Sequence, residues 1–199
     1  MNIGKIVRVE LKAIIPFHTV CKDNSLKDYS MDTLTAISTR RSIRKYTSQP
    51  VSDEILDQLL GAGMDAPSAI DEQPWHFLVI RDKSTLAKIP QYHSHCDLVV
   101  EAAACIVVCG DMKLEKLAGF WVQDCAACSE NILLAAHALG LGAVWIGVHP
   151  VQKDAEGLQN MFGLSENIIP FSMIAVGYPD EPYPAKHNFK KDRIHLEKW

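Results

Sequence analysis

The segment Leu117 to Leu139, LAGFWVQDCAACSENILLAAHAL, constrains the fold of this chain more than any other stretch. At helical spacing, Trp121, Cys125, Cys128, Ile132 and Leu139 mark one side, and Ala126, Leu133, Leu134 and Ala135 take up much of the rest. A helix apolar nearly all round must be covered on more than one side. In a chain of 199 residues, with room for one domain, it is either a central core helix or a subunit interface.

The segments around it supply the cover. HFLVI (76–80), CIVVCGD (105–111), AVWIGV (143–148) and FSMIAVGY (171–178) read as strands, and the second is continuously apolar, as in a strand covered on both faces. Asp32 is placed to cap a short helix, TLTAIST. Ser52 can cap a second that carries Asp53 and Glu54 in its first turn and repeats Ile55, Leu56, Leu59 and Leu60 on one face, until Gly63 and Pro67 stop it. Ser84 to Ile89 and Lys153 to Met161 read as further helices. This order predicts an α+β or α/β layered sheet. The domain runs from about residue 31 to 199, with residues 1–30 as an N-terminal extension and a proline- and charge-rich tail lying along a surface.

The bulk charge excludes some functions. A net charge of −4 argues against general affinity for nucleic acid or an anionic membrane. Residues 132–148 come nearest to a membrane span but are interrupted by His137 and glycines, and the N-terminus has charges within its apolar part and no cleavage site. The six cysteines, at 21, 96, 105, 109, 125 and 128, do not space like a secreted disulfide framework, so a reducing cytoplasm is expected.

Against that acidic background, TRRSIRKYT (39–47) gathers Arg40, Arg41, Arg44 and Lys45. In an extended segment Arg40, Ser42 and Arg44 fall on one side, where two guanidinium forks and a hydroxyl can surround a phosphate. A solvated basic turn at a helix end fits the same spacing. APSAIDEQPW (66–75) is framed by Pro67 and Pro74, which hold it off helix geometry. Its backbone groups are thereby expected to be free for a planar heterocycle, with Ser68, Asp71 and Gln73 as side-chain partners; an irregular helix-to-strand loop is the alternative. Cys125-Ala-Ala-Cys128 lies within a helix without the second cysteine or histidine pair a zinc site needs, so it reads as core packing. His93 and His95 have no carboxylate cluster beside them to make a metal site. Neither G-x-G-x-x-G after a strand, nor a P-loop, nor G-x-S-x-G occurs, so a nucleotide phosphate would be held some other way.

In order, RRSIRKYT, APSAIDEQPWHF, WVQDCAACSENILLAAHALGLGAVWIG and AVGYPDEPYPAK, before a tail ending RIHLEKW, resemble the nitroreductase family of FMN-dependent oxidoreductases over residues 31–199. The resemblance implies an α+β fold with a central, mainly antiparallel sheet flanked by helices, in an intertwined homodimer with two FMN sites across the interface. Arg40, Arg41, Ser42 and Arg44 would bind the flavin's phosphate and pyrimidine end. Pro67, Ser68, Ala69, Asp71 and Gln73 of the other subunit would line the ring, and Trp145, Ile146 and Gly147 would lie beside it, with a backbone N–H near N5. Asn188 stands where the family's tail often places a phosphate-binding Arg, which makes Lys186 the substitute, with Arg193 a further candidate. Ile70-Asp71 replaces the usual Gly-Asn, putting a carboxylate near the pyrimidine.

The implied reaction is ping-pong transfer of hydride from NADH or NADPH through flavin N5 to a nitroaromatic, quinone or similar small-molecule acceptor, without a named catalytic acid. A non-catalytic flavin-binding or redox-sensing module, reductive dehalogenation or flavin fragmentation on the same scaffold, and a cofactor-free structural dimer are the alternatives.

Overall fold

A computed structural model of the chain describes residues 31–182, 184 and 188–199. Residues 1–30, read above as an extension, and Lys186 lie outside the described residues. The elements are α1 (Thr33–Thr39), α2 (Asp53–Met64), β1 (Trp75–Ile80), α3 (Lys83–Leu86), β2 (Ala104–Asp111), α4 (Trp121–Ala138), β3 (Gly142–Gly147), α5 (Gln152–Phe162) and β4 (Ile168–Gly177).

Local chemistry sets several boundaries. Asp32 accepts from Thr35 N to start α1, and Ser52 accepts from Ile55 N to start α2. The apolar helix begins at Trp121 rather than Leu117, because Gly119 sits at φ +86° and interrupts any helix before it. The expected helix from Ser84 to Ile89 shortens to α3, capped by Asp82 and followed by a 3₁₀ turn at Ile89–Gln91 that includes Pro90.

The strands pair in the order β1-β2-β4-β3, every neighbour antiparallel. β2 and β4 are central and buried on both faces, and alternation along them feeds two cores. Ile106, Val108, Ile174 and Val176 face α2 and α4; Cys105, Val107, Met173 and Ala175 face α5 and the turns around Leu86 and Ile89. The molecule is therefore an α+β sandwich with helices on both sides of one antiparallel sheet, and α4 packs across its middle. Cys125 and Cys128 are fully buried in the first core, and burial pushes the Cys128 thiol up to about 12. Among the described residues no helix is long and apolar enough to cross a membrane.

Candidate functional site

β3 ends the sheet, and its outer edge is where the basic segment meets it. Ser42 bridges Ala143 in parallel, with Ile43 N donating to Ala143 O at 3.0 Å. Gly142 permits this approach: a Cβ there would lie 2.6 Å from Ile43 Cγ2. Ile43 and Tyr46 are the buried anchors, and the Tyr46 hydroxyl donates to Ile43 O at 2.6 Å. Ser42, Arg44 and Lys45 consequently point outward. Arg40, one turn earlier, faces Glu130 of α4 at 3.2 Å, while Arg41 donates to Ser38 O and to Pro184 O. Thr39 is hydrogen-bonded to His137 at 2.8 Å, and burial, then Arg40 and Arg41, hold His137 below the usual imidazole value.

The tail closes over this segment. Thr47 N donates to Tyr178 O, Asp180 N donates to Lys45 O, and the Glu181 carboxylate accepts from the backbone N–H groups of Arg44 and Lys45. Further along, Asn188 shares a recess with Lys190 and Arg193.

Beside the β3 edge lies a cleft of about 470 Å³ lined by Arg44, His93, Trp145, Ile146, Gly147 and Asp154, among others. In an antiparallel pair, both backbone groups of alternate residues point to the partner strand and those of the rest point away. Ala143 O accepts from Ile43 and Gly147 O accepts from His93 Nε2 at 2.7 Å, so residues 143, 145 and 147 form the outward set. The N–H groups of Trp145 and Gly147 are thus aimed off the sheet edge. His93 is buried, with Asp154 Oδ2 3.5 Å from the same Nε2. The spacing of His93 in the sequence carries no sign of this backbone contact; it is made across 54 residues.

The loop after α2 is built differently from the sequence expectation. Its amides are largely engaged: Ala69 N donates to Asp124 Oδ1, Asp71 N to Ser68 O, Glu72 N to Ala69 O and Gln73 N to Ser68 Oγ. Such a tight turn needs left-handed backbone, and Ile70, Asp71 and Gln73 adopt φ of 43°, 55° and 45°. For β-branched Ile70 this is strained, at a cost of about 1–3 kcal/mol. Gln73 Nε2 donates to Asp71 Oδ1 at 2.7 Å, which leaves the Gln73 carbonyl and the second Asp71 oxygen for other partners. Glu72, buried beneath the loop, accepts from Lys116 N and Leu117 N. Pro67, Ser68, Ala69, Asp71 and Gln73 are not among the residues lining the β3 cleft.

Ile70→Gly is expected to raise stability by about 1 kcal/mol, the relieved strain less the freedom glycine adds to the unfolded chain. That is about 2–4 °C in Tm, read by thermal melts. Ile70→Val keeps the strained branch and serves as the control that does not gain.

Among the described residues no cluster of three or more His, Cys, Asp or Glu is arranged to hold a metal ion.

The model of the nitroreductase family matches residues 37–105 and 95–178. A relative from Methanothermobacter thermautotrophicus, which carries the provisional name NADH dehydrogenase/NAD(P)H nitroreductase, is 54% identical over 169 residues, covering 85% of this chain and 88% of its own length. Among solved structures, a provisionally named nitroreductase from Desulfovibrio desulfuricans in complex with FMN superposes with a TM-score of 0.74 at 32% identity, covering 84% of this chain and 97% of that one. The NADPH:FMN oxidoreductase of Vibrio harveyi, complexed with NAD+, gives a TM-score of 0.73 at 26% identity, covering 84% and 77%.

Proposed function

Because the chain belongs to the nitroreductase family, we propose that it is an FMN-dependent enzyme that takes hydride from NADH or NADPH and delivers it to an electron-poor acceptor such as a nitroaromatic or a quinone. The observation that carries this reading is the convergence of Arg44 with the open edge of β3 in one cleft. Its volume, about 470 Å³, suits a small-molecule site. The outward N–H of Gly147 is a fixed donor of the kind a ring nitrogen requires, and the basic segment beside it suits a phosphate.

When bound, FMN supplies hydride acceptance and return at N5. The chain's residues then have separate tasks. Arg40, Arg41, Ser42 and Arg44 would hold the phosphate and pyrimidine end, with Lys186 and Asn188 added from the tail, although of these only Arg44 lines the β3 cleft. Trp145, Ile146 and Gly147 would form a wall beside the ring, and the Gly147 N–H would serve as a hydrogen-bond donor to it. Asp71 would accept from the pyrimidine, while Pro67, Ser68, Ala69 and Gln73 would border the ring. Donor and acceptor would take turns in the same space, which is ping-pong order, and placing the reacting atoms within about 3–3.5 Å of one another would be the protein's main contribution.

A homodimer completes the site. The loop 67–73 lies outside the cleft's lining, so a second copy is the source that brings it to the ring. Leu34 and Ile37 on α1 and Phe189, Leu196 and Trp199 in the tail are exposed at 55% or more, and Ala126, Ala127 and Leu134 of α4 are only partly covered. A twin chain would cover these apolar groups. The five described cysteines are free thiols and fully or nearly fully buried, which suits a reducing compartment.

Anaerobic titration of the flavin-loaded protein tests the enzyme reading. NADH or NADPH is expected to bleach the flavin, and a nitroaromatic or quinone to restore its colour. Bound flavin that neither nicotinamide reduces would make the protein a passive binder.

A further inference from the structure

Two carboxyl groups meet under the loop 68–73, away from water. Glu72 is 5% exposed and Asp124, in the first turn of α4, is 4% exposed. Each spends one oxygen on backbone N–H groups: Glu72 Oε2 on Lys116 N at 2.7 Å and Leu117 N at 3.2 Å, Asp124 Oδ1 on Ala69 N at 3.0 Å. Their remaining oxygens, Glu72 Oε1 and Asp124 Oδ2, are buried and have no other hydrogen-bond donor. The two side chains lie within hydrogen-bond reach of each other. A pair of carboxylates cannot donate to one another, and two adjacent buried anions repel. One proton removes both problems.

We infer that Glu72 and Asp124 share a single proton, carried on Asp124, and that this pair clamps the loop 68–73 onto the start of α4, positioning Ser68, Asp71 and Gln73 toward the flavin. The last clause rests on the FMN reading above; the clamp does not.

The surroundings decide which group holds the proton. Burial raises Glu72, but two backbone N–H groups and the nearby Lys116 charge outweigh it, and its carboxyl stays below the usual range. Asp124 has one backbone donor, and burial, with the Glu72 and Glu115 charges, lifts it above the usual range. Lys116 and Glu115 come from the segment ahead of α4, and Lys116 Nζ also reaches Asp71 O at 3.5 Å. The helix start draws negative charge to the pair as a whole, and the one anion left on Glu72 satisfies it.

Proton counting gives the test. Above ordinary carboxylate values the unfolded chain holds neither proton, while the folded chain keeps one on Asp124. Stability therefore falls as pH rises, until Asp124 ionises and the loss levels off. Asp124→Asn keeps a neutral donor toward Glu72 and an acceptor for Ala69 N, but has no proton to lose. Melting the wild type and this variant between pH 4 and 9 should show the wild type losing about 3–5 °C per pH unit relative to the variant above ordinary carboxylate values, up to the pH at which Asp124 ionises, and no more beyond it. Glu72→Gln removes one of the charges that keep Asp124 protonated but leaves its burial, so its melting curve should level off at a lower pH than that of the wild type. Parallel curves for wild type and both variants would overturn the shared proton. FMN fluorescence quenching over the same pH range is the second arm: wild-type affinity should weaken as pH rises and that of Asp124→Asn should not. If none of the proteins binds FMN, the flavin reading fails, and the melting curves still judge the clamp.

Discussion

Replacing Arg40 and Arg44 together by alanine is expected to weaken FMN binding by about 10²- to 10⁴-fold. Each lost charge-assisted hydrogen bond to a phosphate is worth about 1.5–3 kcal/mol, and about 1.4 kcal/mol is a factor of ten. Folding should barely notice. Arg44 is exposed at the cleft, and the Arg40–Glu130 pair is partly solvated, with side-chain exposures of 26% and 45%. Pairs of that kind contribute about 0–1 kcal/mol. Flavin fluorescence quenching and a melt of the flavin-free protein separate the two effects. A double variant that purifies with its full flavin would remove the basic segment from the site.

The second large effect is structural. Trp121→Ala should cost about 3–5 kcal/mol, the usual range for deleting a buried Trp, or about 6–20 °C in Tm. Trp121 fills the space over Gly110 so closely that a Cβ there would stand 2.4 Å from its ring. Its ring packs edge-on to His149 at 4.8 Å and to Phe171 at 6.0 Å, and Phe171 packs in turn on Trp145 at 5.6 Å. This aromatic cluster backs the strand that carries Gly147, so flavin affinity should fall along with stability. Trp121→Phe keeps part of the contact and should cost less. A loss below about 1 kcal/mol for Trp121→Ala in urea unfolding would mean that the cluster relaxes into the space.

The parts of this molecule that follow local rules are legible in its sequence. The continuous apolar run of β2, the Ser52 and Asp32 caps, the amphipathic face of α2 and the four ordered segments of the family all leave local patterns, because composition, period and capping are short-range effects. The boundary of α4 was less accessible, since a single left-handed glycine at 119 moved it by four residues. The contacts that shape the site were hidden for a different reason. His93 to Gly147, Arg40 to Glu130 and Asp124 to Ala69 join residues 54, 90 and 55 positions apart, and one contact of that kind has no periodic signature. The loop 67–73 illustrates both cases. Its prolines announced a turn, but the engagement of its amides and the strain at Ile70 follow from a tight backbone path that the residue types alone do not specify. The pairing of Glu72 with Asp124 left no mark in the sequence, because it depends on the packing of α4 under the loop.

In the proposed enzyme, a flavin is gripped by the basic segment of one chain and the 67–73 loop of its twin. Sedimentation of the purified protein, followed at a flavin absorption band in the visible, tests that most directly. The prediction is a yellow species at twice the chain mass carrying one FMN per chain. A colourless protein, or flavin travelling with a single chain, would contradict it.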